Sequence, residues 1–228
     1  MAEESVPDPL TSFIARSLRA QVSEVTEVRE EVLRRSADAE LERVHFIQGG
    51  ARRTLIVKRV PSDRSLEVRL LPHLARKTDR VPVVHARGIP PAAVPAWPWL
   101  LIEDLVDAPL VDDPVDILEA KVAVERAVRS DGPALVALGV PRIAREGPLA
   151  GWPEVIVHGA LTGANAVRTD RGVVLTEWGQ AELGRGLTDI VRLARAAGVP
   201  SRGLAERYAA ASGVVLTEAA LEAAEDLL

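Results

Sequence analysis

The sequence predicts an α+β protein in which strands crowd the first half of the chain and helices the second. Three observations lead there. Five β-branched or Leu-rich runs, each bounded by turn residues, lie between residues 25 and 105. A Gly49-Gly50 pair separates two of them and marks a tight hairpin. From residue 115 onward, most apolar residues recur at helical spacing. A run of strands followed by a run of helices is the pattern of segregated α+β architecture.

Taken in order, residues 8–21 read as a helix with Leu10, Phe13, Ile14 and Leu18 on one face. Residues 25–33 form a strand and 34–39 a turn. Residues 41–48 form a second strand, with Leu41, Val44 and Phe46 as its apolar positions. After Gly49-Gly50, residues 54–60 complete a three-strand meander. Residues 63–77 are a helix that buries Leu66, Leu70, Leu71 and Leu74. Two more strands follow, 81–89 and 99–105, joined by a proline-rich surface loop, Pro90 to Pro95. Residues 107–114, acidic and with two prolines, read as a linker, so the expected units are 1–106 and 107–228. The second carries helices at 115–128 and 133–138, then a loop at 141–153. Short apolar runs come next at 155–157, 166–167 and 173–175, with an Asp170-Arg171-Gly172 turn between the last two. A helix from Asp189 to near Gly198 follows, and then helices at 204–211 and 218–227.

Composition narrows the function. At 228 residues and 47% hydrophobic, the chain can bury a large core, and with 3% aromatics that core is Leu, Val, Ala and Ile. A net charge of −5 without a Lys/Arg block gives no reason to expect nucleic acid. Absence of Cys excludes disulfides, thiolate metal sites and Cys nucleophiles. No apolar run approaches the roughly 18 residues of a membrane span, and the acidic MAEESVPDP start lacks a signal-peptide pattern, so a cytoplasmic protein is expected. The chain has three lysines, Lys58, Lys77 and Lys121, against abundant Arg, which makes a Lys in a motif position informative.

The stretch from Glu154 to Asp189 organises the rest. A β-branched run, Val155 to Val157, ends at His158-Gly159, and a small-residue loop closes at Asn165. The later apolar run ends at Glu177-Trp178-Gly179, and a Gly-bearing loop leads to Asp189. Polar groups thus sit on loops and strand ends over an apolar scaffold, where binding and chemistry concentrate.

This order resembles the aminoglycoside phosphotransferase family, small-molecule kinases with the protein-kinase fold. The family's catalytic loop reads roughly H-G-D-L-H-P-x-N. Here it is His158-Gly159-Ala160-Leu161-Thr162-Gly163-Ala164-Asn165, matched without a gap. Thr176-Glu177-Trp178-Gly179 lies where the family's metal segment, I-D-W-E, should be, and Gly186-Leu187-Thr188-Asp189 matches its G-x-x-x-D helix start. The resemblance covers most of the chain, from about Val25 to the end. It implies a two-lobed fold: an N-lobe of five antiparallel strands with one main helix, and a mainly helical C-lobe that is reduced here.

The resemblance also assigns candidate sites. Lys58 is implied to hold nucleotide phosphates and to pair with Glu67, against the plainer reading of an exposed strand Lys and a rim Glu. The strand into Glu103 and Leu105 is implied to receive adenine through backbone groups, though an ordinary core strand reads the same. Asn165 and Glu177 are implied metal ligands, with a turn Asn the alternative at 165. His158 braces the loop. Asp189 either braces it too or caps the helix, and an Asp before an apolar helical run suffices as a cap. Trp152 and Trp178 read as core.

Three departures set the expected function. Ala160 stands where the family has its catalytic Asp, so no catalytic residue is assigned. Glu177 stands where it has a metal-binding Asp, one methylene shorter. The phosphate-covering loop, Arg34 to Glu40, has no Gly and carries Asp38 and Glu40. The expectation is a kinase-like pseudoenzyme that binds a protein or peptide partner. A slow or partner-completed O-phosphotransferase on a small-molecule or peptide hydroxyl is the alternative, with ATP and Mg²⁺ if any activity remains. A nucleotide-sensing module without turnover is a third reading.

Overall fold

The computed structural model describes residues 9–90, 96–144 and 147–228. Most of the Pro90–Pro95 loop lies outside the described residues. The chain divides into two compact units, Met1–Arg64 with Val83–Asp104, and Ser65–Pro82 with Leu105–Leu228.

The first unit is built on five antiparallel strands: β1 (Val25–Arg35), β2 (Glu40–Gln48), β3 (Ala51–Arg59), β4 (Val84–Gly88) and β5 (Trp99–Glu103). Their order is β1-β2-β3-β5-β4. The β2–β3 hairpin turns on Gly49 and Gly50, both at positive φ, as a two-residue turn matched to strand twist requires. Helix α1 (Pro9–Ser17) contributes Ile14 and Ala15 to a core with Val25, Val44, Phe46, Leu55, Val57 and Leu101. Phe13 meets Trp99 edge-on, with centroids 5.2 Å apart.

One patterning expectation fails on β2. Side chains alternate with period two, so the residue that shares a face with Val44 and Phe46 is buried Glu42, not Leu41. Glu42 is tolerated there because Arg59 and Arg35 pair with its carboxylate. Leu41 lies on the other face, opposite Lys58.

The second unit contains helix α2 (Leu66–Leu74), which is shorter than the 63–77 expected. Asp63 belongs to a single 3₁₀ turn before it. Pro72 removes one intrahelical donor, and Arg76 and Lys77 close the end with short-range bonds to His73 and Leu74. Leu70, Leu71 and Leu74 are buried as read, but Val68 replaces Leu66. The 107–114 segment is no free linker. Val111 is buried and donates its N–H to Ala166 O at 3.0 Å, while Pro109 O accepts from Arg168 N–H at 2.7 Å.

Helix α3 (Pro114–Ala127) starts at an Asp113 cap whose carboxylate accepts the Val115 N–H at 2.8 Å. Helix α4 is Gly132–Ala137. Strand β6 (Glu154–Val157) follows, and β7 (Ala166–Thr169) forms a hairpin with β8 (Gly172–Leu175). Strand β9 (Glu182–Arg185) pairs with β6 and was not legible, because Leu183 is its only large apolar residue. Helices α5 (Leu187–Ala197), α6 (Ser201–Ser212) and α7 (Glu218–Glu225) close the unit. No helix among the described residues is long and apolar enough to cross a membrane.

Candidate functional site

The loop after β6 is held almost entirely by backbone groups and buried side chains. Asp189, 1% exposed, accepts the His158 N–H on one oxygen at 2.6 Å and the Gly159 N–H on the other at 3.0 Å. The helix cap at this point is Gly186, and Asp189 sits three residues inside α5. The cap assignment is therefore corrected: the carboxylate braces the loop. Both readings were open in sequence, and two adjacent buried donors decide between them.

His158 is fully buried. Its Nδ1 accepts the Ala160 N–H at 3.2 Å, so Nε2 carries the proton and donates to Thr176 O at 2.7 Å. The imidazole is neutral in this arrangement, and burial pushes its pKa below the usual value despite nearby Asp189. Its ring lies 4.5 Å from that of Trp178, whose indole N–H donates to Leu175 O at 2.9 Å. Both Trp178 and Trp152 are buried, and Trp152 stacks on Tyr208.

Gly159 is required by its surroundings. Its φ is +80°, and a Cβ there would lie 2.2 Å from the Gln180 carbonyl oxygen. The loop thus packs against the turn that follows Glu177.

Ala160, half-buried, occupies the centre of the loop. Its carbonyl accepts the Asn165 side-chain N–H at 2.8 Å. That bond commits the amide nitrogen and leaves the amide oxygen as the donor atom for a ligand. Asn165 also accepts the Thr176 N–H at 2.9 Å, which extends the β7–β8 ladder by one step. Glu177, the next residue, is exposed and adopts a left-handed conformation with φ 61° and ψ 54°. The hairpin therefore brings Ala160, Asn165 and Glu177 to one end. Left-handed backbone is uncommon for Glu and tends to cluster at ligand sites. Among the described residues, no group of three or more His, Asp or Glu side chains is arranged for a metal.

Glu67 is 4% exposed and accepts the Trp178 N–H at 3.3 Å, directly after Glu177. Its spacing with Leu70, Leu71 and Leu74 puts it on the buried face of α2, as the periodicity indicates. Within the first unit, Lys58 is 5% exposed on β3, opposite Leu41 and Leu100. Glu103 ends β5 and donates its N–H to Val83 O at 3.0 Å. The strand stops there, short of Leu105, whose carbonyl accepts the Ala108 N–H.

The β1–β2 turn is self-satisfied. The Ser36 hydroxyl accepts the N–H groups of Asp38 and Ala39, at 3.3 and 3.2 Å, and donates to Ala39 O at 3.1 Å. Asp38 pairs with Arg64 at 2.7 Å, and Arg35 with Glu40 at 3.3 Å.

Sequence reasoning missed the group behind Asp189. Lys121 is fully buried on α3. Its ammonium pairs with Glu125, donates to Ile156 O at 2.9 Å and lies 3.4 Å from Asp189. Tyr208 donates to Glu125 at 2.9 Å. Burial works against the lysine charge, but Glu125 and Asp189 outweigh it and hold the pKa above normal. Burial raises that of Glu125 against the pull of Lys121. The i,i+4 spacing of Lys121 and Glu125, in a chain so poor in Lys, was the available signal.

No family model matches the sequence, and no curated protein matches it. Solved structures do. The macrolide 2'-phosphotransferase MphH from Brachybacterium faecium is 17% identical, over 97% of this chain and 88% of its own, with a TM-score of 0.61. The GDP complex of aminoglycoside 2'-phosphotransferase-IIIa is 13% identical, over 90% and 82%, with a TM-score of 0.59. A choline kinase from Cryptosporidium parvum is 10% identical, over 95% and 83%, with a TM-score of 0.61. Taken with the five-stranded antiparallel sheet and the braced loop after β6, these likenesses show that the chain has the protein-kinase-like fold of the aminoglycoside and macrolide phosphotransferases.

Proposed function

We propose that the protein is a kinase-like pseudoenzyme, a non-catalytic cytoplasmic protein that binds or regulates a protein or peptide partner. The observation that carries this reading is the methyl group at Ala160. His158, Asn165 and Asp189 brace the loop around it, yet the position that takes or orients the proton of an attacking hydroxyl in this fold has no polar atom on its side chain. Loss of a general base typically removes about 10²–10⁴ in rate.

Two further features support it. The Ser36 hydroxyl takes up two amides of the β1–β2 turn, where backbone N–H groups would otherwise be available to phosphate. The Asn165 amide oxygen and the Glu177 carboxylate are hard oxygen donors suited to Mg²⁺, but they are only two side chains, and Glu reaches one methylene further than the Asp it replaces.

A slow or partner-completed phosphotransferase is the second reading, favoured by the orientation of Asn165. Calorimetric titration with ATP and with GTP, each with and without Mg²⁺, separates these. The proposal expects no saturable heat in either condition. Tight Mg²⁺-dependent binding with measurable hydrolysis overturns it in favour of the phosphotransferase. Metal-independent binding without turnover replaces it with a nucleotide sensor.

A further inference from the structure

The first unit carries a second concavity, of about 520 Å³, on the sheet at the β2–β3 hairpin end. That is within the range of small-molecule sites. It is lined by Arg29, His45, Ile47, Arg52, Arg53 and Thr54, with Glu27 its one carboxylate.

The ladder explains the convergence. Arg29 pairs with His45, His45 with Thr54, and Ile47 with Arg52, so these residues form two neighbouring rows across three strands. Directly opposed side chains share a face. Register slips between Thr26 and Arg29, and Glu27 takes a left-handed φ of 52°. A bulge of this kind sharpens local twist and re-aims the side chain that follows it.

Three guanidiniums against one carboxylate is an unusual local balance in a chain of net charge −5. Among the described residues, no ion pair involves Arg29, Arg52 or Arg53, whereas His45 is bonded to Glu31 at 2.8 Å. Crowding of like charge on one sheet face costs stability unless an anion relieves it. Arg52 and Thr54 lie on the same side of β3 as Lys58, but Arg52 is six residues away, about 20 Å along the strand. The concavity is thus separate from the Lys58 position and independent of the reading at Ala160.

We infer that this concavity is a binding site for a small phosphorylated molecule, its phosphate held by Arg29, Arg52 and the Thr54 hydroxyl, and its body laid on Ile47. Guanidinium forks match phosphate oxygens bidentately, and Thr adds a donor that a salt-bridge cluster does not need.

The test is calorimetric titration of the full chain with inorganic pyrophosphate in Mg²⁺-free buffer. Wild type is compared with Arg29→Gln, Arg52→Gln, their double variant, Lys58→Met, and Arg64→Gln at the opposite end of the sheet. The substituted arginines are exposed strand residues, and circular dichroism checks each fold. One saturable site is expected. Each single change at Arg29 or Arg52 should weaken it roughly tenfold and the double roughly a hundredfold, with Arg64→Gln unchanged. No binding by wild type overturns the inference. So does binding that survives the double variant but falls with Lys58→Met, which moves the anion to the other end of β3. Citrate binding as tight as pyrophosphate overturns the phosphate assignment.

Discussion

Replacing Asp189 with Ala tests the brace that holds the loop after β6. The carboxylate accepts two buried backbone N–H groups, from His158 and Gly159, and faces the fully buried Lys121 ammonium at 3.4 Å. Each orphaned buried donor costs about 1–3 kcal/mol. The lysine keeps Glu125 and the Ile156 carbonyl, so its loss is smaller, about 1 kcal/mol, than the 3–5 of a fully broken buried pair. A water entering the space left by the carboxylate recovers part of this. The expected loss is about 3–5 kcal/mol, a large share of a typical folding stability. With a urea slope of about 2–3 kcal/mol/M, the midpoint should fall by more than 1 M. Hydrogen exchange at the His158 and Gly159 amides should accelerate in step. Glu222→Ala, on the exposed face of α7, is the control. A midpoint shift for Asp189→Ala no larger than that of the control refutes the brace.

Three other outcomes are expected. Burial lowers the His158 pKa from 6.5 in the folded state, so the unfolded chain binds the proton first as pH falls. Stability should therefore decline below about pH 6.5, at up to about 1.4 kcal/mol per unit for this group. Burial shifts His85 the same way, and a His85→Asn variant isolates its share. A urea midpoint that stays flat from pH 7.5 to 5.5 sinks the assignment. Gly159→Ala should cost at least the roughly 1–2 kcal/mol of left-handed strain, with the 2.2 Å approach to Gln180 O adding to it; thermal unfolding unchanged from wild type contradicts this. Ala160→Asp alone should restore little Mg·ATP binding, and Ala160→Asp with Glu177→Asp more than either single change, because both carboxylates bear on one metal and its phosphates. Strict additivity in calorimetry, or turnover by the unmodified chain, counts against it.

The parts of the fold read correctly were those with strong local periodicity. The Gly49-Gly50 hairpin, the Leu70–Leu74 helix face and the 166–175 hairpin all declare themselves within a few residues. What escaped depends on partners distant in sequence. Strand β9 has one large apolar side chain and exists because β6 supplies its ladder. Glu42 took the inward place assigned to Leu41 because Arg35 and Arg59 lie near enough to compensate it. Lys121 and Tyr208 meet across α3 and α6 at Glu125, which no window of α3 alone reveals. At the site, motif spacing placed the loop and its neighbours, but not the choice between cap and brace at Asp189, which turns on where two N–H groups point.

The brace has an evolutionary consequence. Every bond that shapes residue 160 runs through its backbone, from the Ala160 N–H to His158 and from Asn165 to the Ala160 carbonyl. The side chain at that place has no part in holding the loop. Gain or loss of a carboxylate there needs only one nucleotide change between Ala and Asp codons, and selection on folding alone scarcely registers it. A lineage can drift between chemically competent and silent forms at this position while its architecture stays constant. Presence of the fold in a genome is therefore a poor guide to the presence of the reaction, and the identity of residue 160 is the first thing to read in each copy.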